Sequence, residues 1–196
     1  QSILQTPSDW DLLYIMQHHG VRTRLLDWSE SFAVSLYFAF LNWKPEETNC
    51  TVWLLDPIQL NNMYNQDFGL YMPKPQESYQ HLLYNHGESY EFAVHTVALF
   101  PRRNNPRLIA QQGTFTLQGN TRLPLEEEYN GQLWERNIIN RVDFNVEDYS
   151  DIEMYLRLNG MNHFTLFPDL DGLARFIMLE DTKFVSQITQ EAPDIT

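Results

Sequence analysis

The chain has 196 residues, of which 43% are hydrophobic, 14% aromatic and 20% charged, a balance that suits one folded domain and excludes disorder of the whole. Its 13 basic and 26 acidic residues give a net charge of −13, which repels a phosphate backbone at long range and disfavours duplex DNA, though not recognition of one nucleotide. A single cysteine, Cys50, excludes an intrachain disulfide and a thiolate zinc cluster and fits a reducing compartment such as the cytoplasm, and no run approaches the ~18 apolar residues of a membrane helix.

Ser8 precedes Trp10, Leu13, Tyr14 and Gln17 at i, i+3, i+4 and i+7, which predicts a helix capped by Ser8 with Gln17 on its inner stripe. Gly20 is the expected stop, and residues 21–28 read as a loop. Ser29 or Ser31 caps a second helix reaching about Asn42. Its Phe32, Ala33, Val34, Leu36, Tyr37, Phe38, Phe40 and Leu41 are apolar almost all round, which predicts a buried central helix over 30–42.

Cys50 to Leu55 reads as a strand stopped by Asp56-Pro57. Residues 61–90 have weak periodicity and read as a lid or insertion. Phe92 to Phe100 is an expected strand ended by Pro101. Arg107 to Ala110 and Thr114 to Leu117 read as strand segments around Gln111-Gln112-Gly113. In that reading Leu108 and Ala110 face one way, and Arg107, Ile109 and Gln111 the other. Ile138 to Val146 reads as a strand followed by a helix over 148–156, and Pro168 opens a last helix carrying Leu170, Leu173, Ala174, Ile177 and Met178. Without regular alternation of strand and helix, the fold class is α+β: a small mixed or antiparallel sheet packed with helices.

The densest polar constellation is Gln17-His18-His19-Gly20-Val21-Arg22-Thr23-Arg24-Leu25-Leu26-Asp27-Trp28-Ser29, held between two core-packed helices. Each member also has a structural role open to it. Gln17 can bond a backbone carbonyl, and His19 can offset a helix C-terminal dipole. Arg24 and Asp27 can form an ion pair, Asp27 can cap the second helix, and Trp28 can be core. Around Gln111, Gly113 permits close backbone approach by a ligand or a strand. Asp169 and Asp171 suit the first turn of a helix better than a metal, and His81, His86 and His95 lack zinc-site spacing. The acidic run Glu126-Glu127-Glu128 reads as a solvated face.

Three segments in order resemble the FRG domain family. They are Gln17-His18-His19-Gly20 with Thr23-Arg24-Leu25-Leu26-Asp27-Trp28-Ser29 and then Ala33, Tyr37, Phe38 and Ala39; Arg107, Gln111, Gly113, Phe115 and Thr116; and Leu166 through Leu173. The resemblance covers most of the chain, residues 44–105 least, so residues 1–196 are read as one domain. The family's aromatic-Arg-Gly motif is expected upstream of Gln17. No Arg-Gly pair occurs in the chain, which does not begin with Met, so the segment bearing that motif is expected to be missing.

FRG domains look like distant relatives of the ADP-ribosyltransferases, which implies a split sheet of that kind and NAD as the substrate nucleotide. The resemblance assigns NAD contacts to Gln17, His18, Gly20, Thr23, Arg24, Asp27, Trp28 and Ser29, and catalytic roles to Gln111, Gln112 and His19. Arg24 and His19 would meet the phosphates or ribose, and Trp28 would stack on a ring. Gln111 or Gln112 would address the ribose hydroxyls or the acceptor, where no carboxylate stands at the late-strand position. The implied partners are a nucleotide-type small molecule and a protein acceptor, in a toxin or phage-defence setting. Two rival readings stay open: a non-catalytic module binding a nucleotide or protein, and a hydrolase or nuclease using His18, His19 and Asp27.

Overall fold

The computed structural model describes residues 8–64, 69–74, 78 and 95–179. They are helix α1 (Asp9–His18), strand β1 (Leu25–Ser29), helix α2 (Phe32–Leu41), strand β2 (Cys50–Leu55), helix α3 (Pro57–Tyr64), strand β3 (Val97–Leu99), helix α4 (Pro106–Ala110), strand β4 (Gly113–Leu117), helix α5 (Gln132–Glu135), strand β5 (Ile139–Phe144), helix α6 (Tyr149–Leu158) and helix α7 (His163–Leu166). Residues 170–179 are helical. The fold is therefore the expected α+β mixture of small sheets and helices. Two compact units share the chain. The first is built from the described residues within Gln1–Trp28, Thr51–Arg102 and Gly113–Val142, the second from those within Ser29–Cys50, Arg103–Gln112 and Asp143–Thr196.

In the first unit, α1 forms where the 3.6-residue stripe predicts. Ser8 closes a capping box with Asp11, and Trp10 and Leu13 are buried. Tyr14 stacks on Phe115 of β4 at 5.2 Å, and burial with the nearby Asp11 charge pushes its phenol well above the usual tyrosine range. The sheet runs β1-β4-β3, with β3 antiparallel to β4 from Val97 opposite Leu117 to Leu99 opposite Phe115. On the other side of β3, the buried Asn61 side chain takes the place of a neighbouring strand. Its Nδ2 donates to the Ala98 carbonyl at 2.9 Å, and its Oδ1 accepts from the Ala98 amide at 2.7 Å. An edge that water would otherwise satisfy is thereby bonded internally. Strands β2 and β5 pair separately. Leu60, Ala98, Leu133, Ile138 and Ile139 make the core beneath.

In the second unit, Ser31 caps α2 by accepting from the Val34 amide. Val34, Leu36 and Tyr37 are buried, and α2 packs on α6, with Phe40 and Tyr149 rings 4.6 Å apart. The expectation of burial almost all round is only partly met, because Phe32 and Phe38 remain 42% and 40% exposed. Apolarity on every face shows what a helix can bury; how many neighbours it receives is decided elsewhere in the chain.

Several boundaries differ from the sequence expectation. Residues 25–29 are strand rather than loop, since they pair with β4, nearly ninety positions away. Arg107 to Ala110 is helical rather than extended. Asn105 caps it by accepting from the Arg107 amide, and Pro106 stands at its first turn, so the alternating faces expected there do not exist. The expected strand over 92–100 is reduced to Val97–Leu99 among the described residues. Of the expected lid, residues 61–64 belong to α3, while 65–68, 75–77 and 79–90 lie outside the described residues.

Candidate functional site

Helix α1 ends in a paired-bond cap. The Val21 amide donates to the Met16 carbonyl at 2.9 Å and the Gly20 amide to the Gln17 carbonyl at 3.0 Å, with Gly20 at φ +74°. The chain turns back there, and Gln17 meets the residues that follow. Thr23 Oγ1 donates to Gln17 Oε1 at 2.6 Å, Gln17 Nε2 donates to Asp27 Oδ2 at 2.9 Å, and the Leu25 amide donates to Thr23 Oγ1 at 3.0 Å. Three side chains thus form one relay joining the end of α1 to β1. Trp28 Nε1 donates to Thr116 Oγ1 at 3.1 Å, which fixes the half-buried indole against β4. His18 and His19 are exposed, with their rings edge-to-face at 5.1 Å, and Arg22 is exposed beside them.

In the second unit Ser29 Oγ donates to the Gln111 carbonyl at 2.8 Å and accepts from the Ser31 amide at 3.0 Å. The Glu30 amide donates to the Gln112 carbonyl at 3.1 Å, and Glu30 pairs with Arg103. Gln111 Nε2 donates to the Leu166 carbonyl at 3.0 Å. Gln112 is exposed at φ +47°, a conformation a non-glycine residue adopts at some cost.

Residues 2–48 match the FRG domain family. No curated protein and no solved structure matches the chain. The FRG match takes in α1, its Gly20 cap, the Gln17–Thr23–Asp27 relay, β1 and α2.

Within the FRG segment the structure brings Gln17, Thr23 and Asp27 together, and within the second unit it joins Ser29 to Gln111. It gives several of them structural partners. Asp27 does not cap α2, because Ser31 does so; Asp27 instead takes the Gln17 amide. Gln111 is bonded to a backbone carbonyl. His18, His19, Gly20, Arg22, Asp27 and Gln112 are exposed. Among the described residues, no three His, Cys, Asp or Glu side chains gather as metal ligands, and no helix is long and apolar enough to cross a membrane. His81 and His86 lie outside the described residues.

Two further clusters stand out. Glu128, expected on a solvated face, is fully buried. It accepts from the Thr96 amide at 2.9 Å, Thr96 Oγ1 at 2.8 Å and Thr121 Oγ1 at 3.0 Å, with His95 Nδ1 3.8 Å away. Its neighbours Tyr129 and Asn130 take left-handed φ values of 54° and 57°, which turns the acidic run inward at its third residue. No composition signal marks such a reversal. In the second unit, Tyr37, Arg107, His163 and Phe167 meet. His163 stacks on Phe167 at 4.3 Å, the Arg107 guanidinium lies 4.4 Å from the same ring, and Tyr37 Oη is 3.4 Å from His163 Nδ1. All four lie within sequence segments that carry the FRG resemblance or adjoin it, and only their convergence was illegible.

Proposed function

We propose that this chain is an NAD-binding, ADP-ribosyltransferase-like domain that transfers ADP-ribose from NAD to an acceptor, with the turn between α1 and β1 as its nucleotide-binding surface. The observation that carries the reading is the Thr23–Gln17–Asp27 relay. It holds residues 18–24 in one geometry and presents His18, His19 and Arg22 outward on a strongly acidic chain. A backbone held in this way lowers the ordering cost of presenting donors to phosphate and ribose oxygens. In this reading Arg24 and His19 take the phosphates or ribose, and Trp28 offers a ring whose plane Thr116 fixes. The reaction breaks the bond between ribose and nicotinamide, which leaves neutral, while an acceptor nucleophile bonds to the ribose carbon through an oxocarbenium-like transition state.

A second reading is favoured by one observation. Gln111, assigned to the ribose or acceptor, spends its amide on the Leu166 carbonyl, which suits a module that binds a nucleotide without catalysing transfer. Titration calorimetry of NAD into the chain and into Arg24→Ala, paired with chromatographic detection of nicotinamide, separates the readings. Saturable heat that weakens at least tenfold in the variant, with nicotinamide release, supports the transferase. The same binding without release supports the binding module. Absence of saturable heat with the wild-type chain overturns both.

A further inference from the structure

The second unit contains a concentration of positive charge that the proposed function leaves unused. Arg107, on α4, lies over the Phe167 ring at 4.4 Å. Phe167 stacks on His163, whose Nδ1 faces the Tyr37 hydroxyl at 3.4 Å, and both His163 and Tyr37 are buried. Gly172 is pressed against the same phenylalanine, since a Cβ there would overlap the Phe167 carbonyl oxygen. Arg175 is three residues beyond Gly172 in the helical segment 170–179, a spacing that places the two on one face of the helix. The Arg175 charge acts on both Tyr37 and His163, and the Arg107 charge on His163.

Neither guanidinium forms an ion pair with a carboxylate among the described residues. Asp169, whose charge is felt at His163, spends Oδ1 on the Gly172 amide at 2.7 Å as the cap of that helix. Two arginines are thus gathered beside an imidazole and a phenol, in a chain of net charge −13. Planar, multiply donating guanidiniums suit a doubly charged oxyanion better than a single carboxylate.

We propose that Arg107 and Arg175, flanking the Tyr37–His163–Phe167 stack, form a binding site for a phosphate group. The phosphate comes either as the free ion or as part of a nucleotide. The site lies wholly within the second unit and does not depend on the reading of the α1–β1 turn.

The test titrates inorganic phosphate, and separately ADP, into the wild-type chain, Arg107→Gln, Arg175→Gln and Arg24→Ala, followed by phosphorus NMR, with circular dichroism verifying that each variant is folded. Saturable binding to the wild type is expected, at least tenfold weaker in Arg107→Gln and Arg175→Gln and still saturable in Arg24→Ala. Arg175 is exposed, so its replacement keeps the fold even where loss of the Arg107–Phe167 contact does not. ADP binding tenfold or more tighter than inorganic phosphate assigns the site to a nucleotide phosphate, and equal binding assigns it to the free ion. No saturable phosphate or ADP binding to the wild type, or wild-type affinity in Arg175→Gln, overturns the proposal. NAD binding lost in Arg24→Ala while phosphate binding persists keeps the two sites distinct, and phosphate binding without any NAD binding overturns only the proposed function.

Discussion

A carboxylate taken wholly out of water must recover its hydration from the protein, and Glu128 does so with three donors and a nearby imidazole. The bonds tie the segment that follows β4 to the start of β3, across thirty-two positions of sequence. Glu128→Ala removes every acceptor at once and strands the Thr96 amide in a buried place. It is expected to cost about 3 kcal/mol, since bonds to charged groups contribute most and abandoned buried donors add a penalty. Urea unfolding followed by tryptophan fluorescence measures this, and a loss below about 1 kcal/mol is inconsistent with the assigned bonds. Beside Glu126 and Glu127, which carry the same charge, the residue reads as solvated. A run of like charges reveals nothing of a backbone that reverses at Tyr129 and Asn130.

At the level of elements, two glycines fill their positions for different physical reasons. Gly20 stands at φ +74°, and a Cβ there would meet nothing within 4 Å, so only backbone conformation resists a side chain. Gly20→Ala is expected to cost about 1 kcal/mol through the left-handed penalty alone. Gly172 has no such φ, but a Cβ would overlap Phe167, so Gly172→Ala must push the 170–179 helix away from the ring it abuts. The second loss is expected to exceed the first, and Gly172→Ala alone is expected to weaken phosphate binding by displacing Arg175. Equal melting-temperature losses in the two variants, with phosphate binding intact, would contradict this account. Helix α1 and its caps were legible in sequence because Ser8, the i, i+3, i+4 stripe and Gly20 are all local. Strand β1 and helix α4 were not. The pairing of β1 is made by a distant strand, and a five-residue apolar run has no period of its own until Asn105 and Pro106 start a turn.

For the whole molecule, the dependence of stability on pH exposes the second unit. Burial, then the charges of Arg175 and Arg107, lower the His163 pKa below its ordinary value of 6.5, with Asp169 opposing. The folded chain therefore holds this proton less tightly than the unfolded chain. The stabilisation of neutral His163 is fully present above pH 6.5 and is lost as pH falls below it. Urea midpoints measured from about pH 7.5 down to about pH 5 are expected to fall more steeply for the wild type than for His163→Gln. Parallel profiles would mean that the imidazole is not held neutral.

The sequence alone determined the α+β class, the Ser8-capped first helix, a second helix opening at Ser29 or Ser31, the β2 strand and the FRG resemblance. The two helices and the strand rest on spacing or capping within about a turn or a strand of chain, where neighbours in sequence are neighbours in space. It also singled out Gln17, Thr23, Asp27 and Ser29 within one dense polar segment between two helices, and Gln111 beside Gly113. Only the tertiary structure decided who those partners are: Gln17 for Asp27 and Thr23, the Gln111 carbonyl for Ser29, the Leu166 carbonyl for the Gln111 amide. It alone buried Glu128 and gathered Arg107 with His163 and Phe167. Buried polar groups take whichever donor or acceptor the packing of distant segments supplies, and that choice is written in the fold rather than in any local pattern.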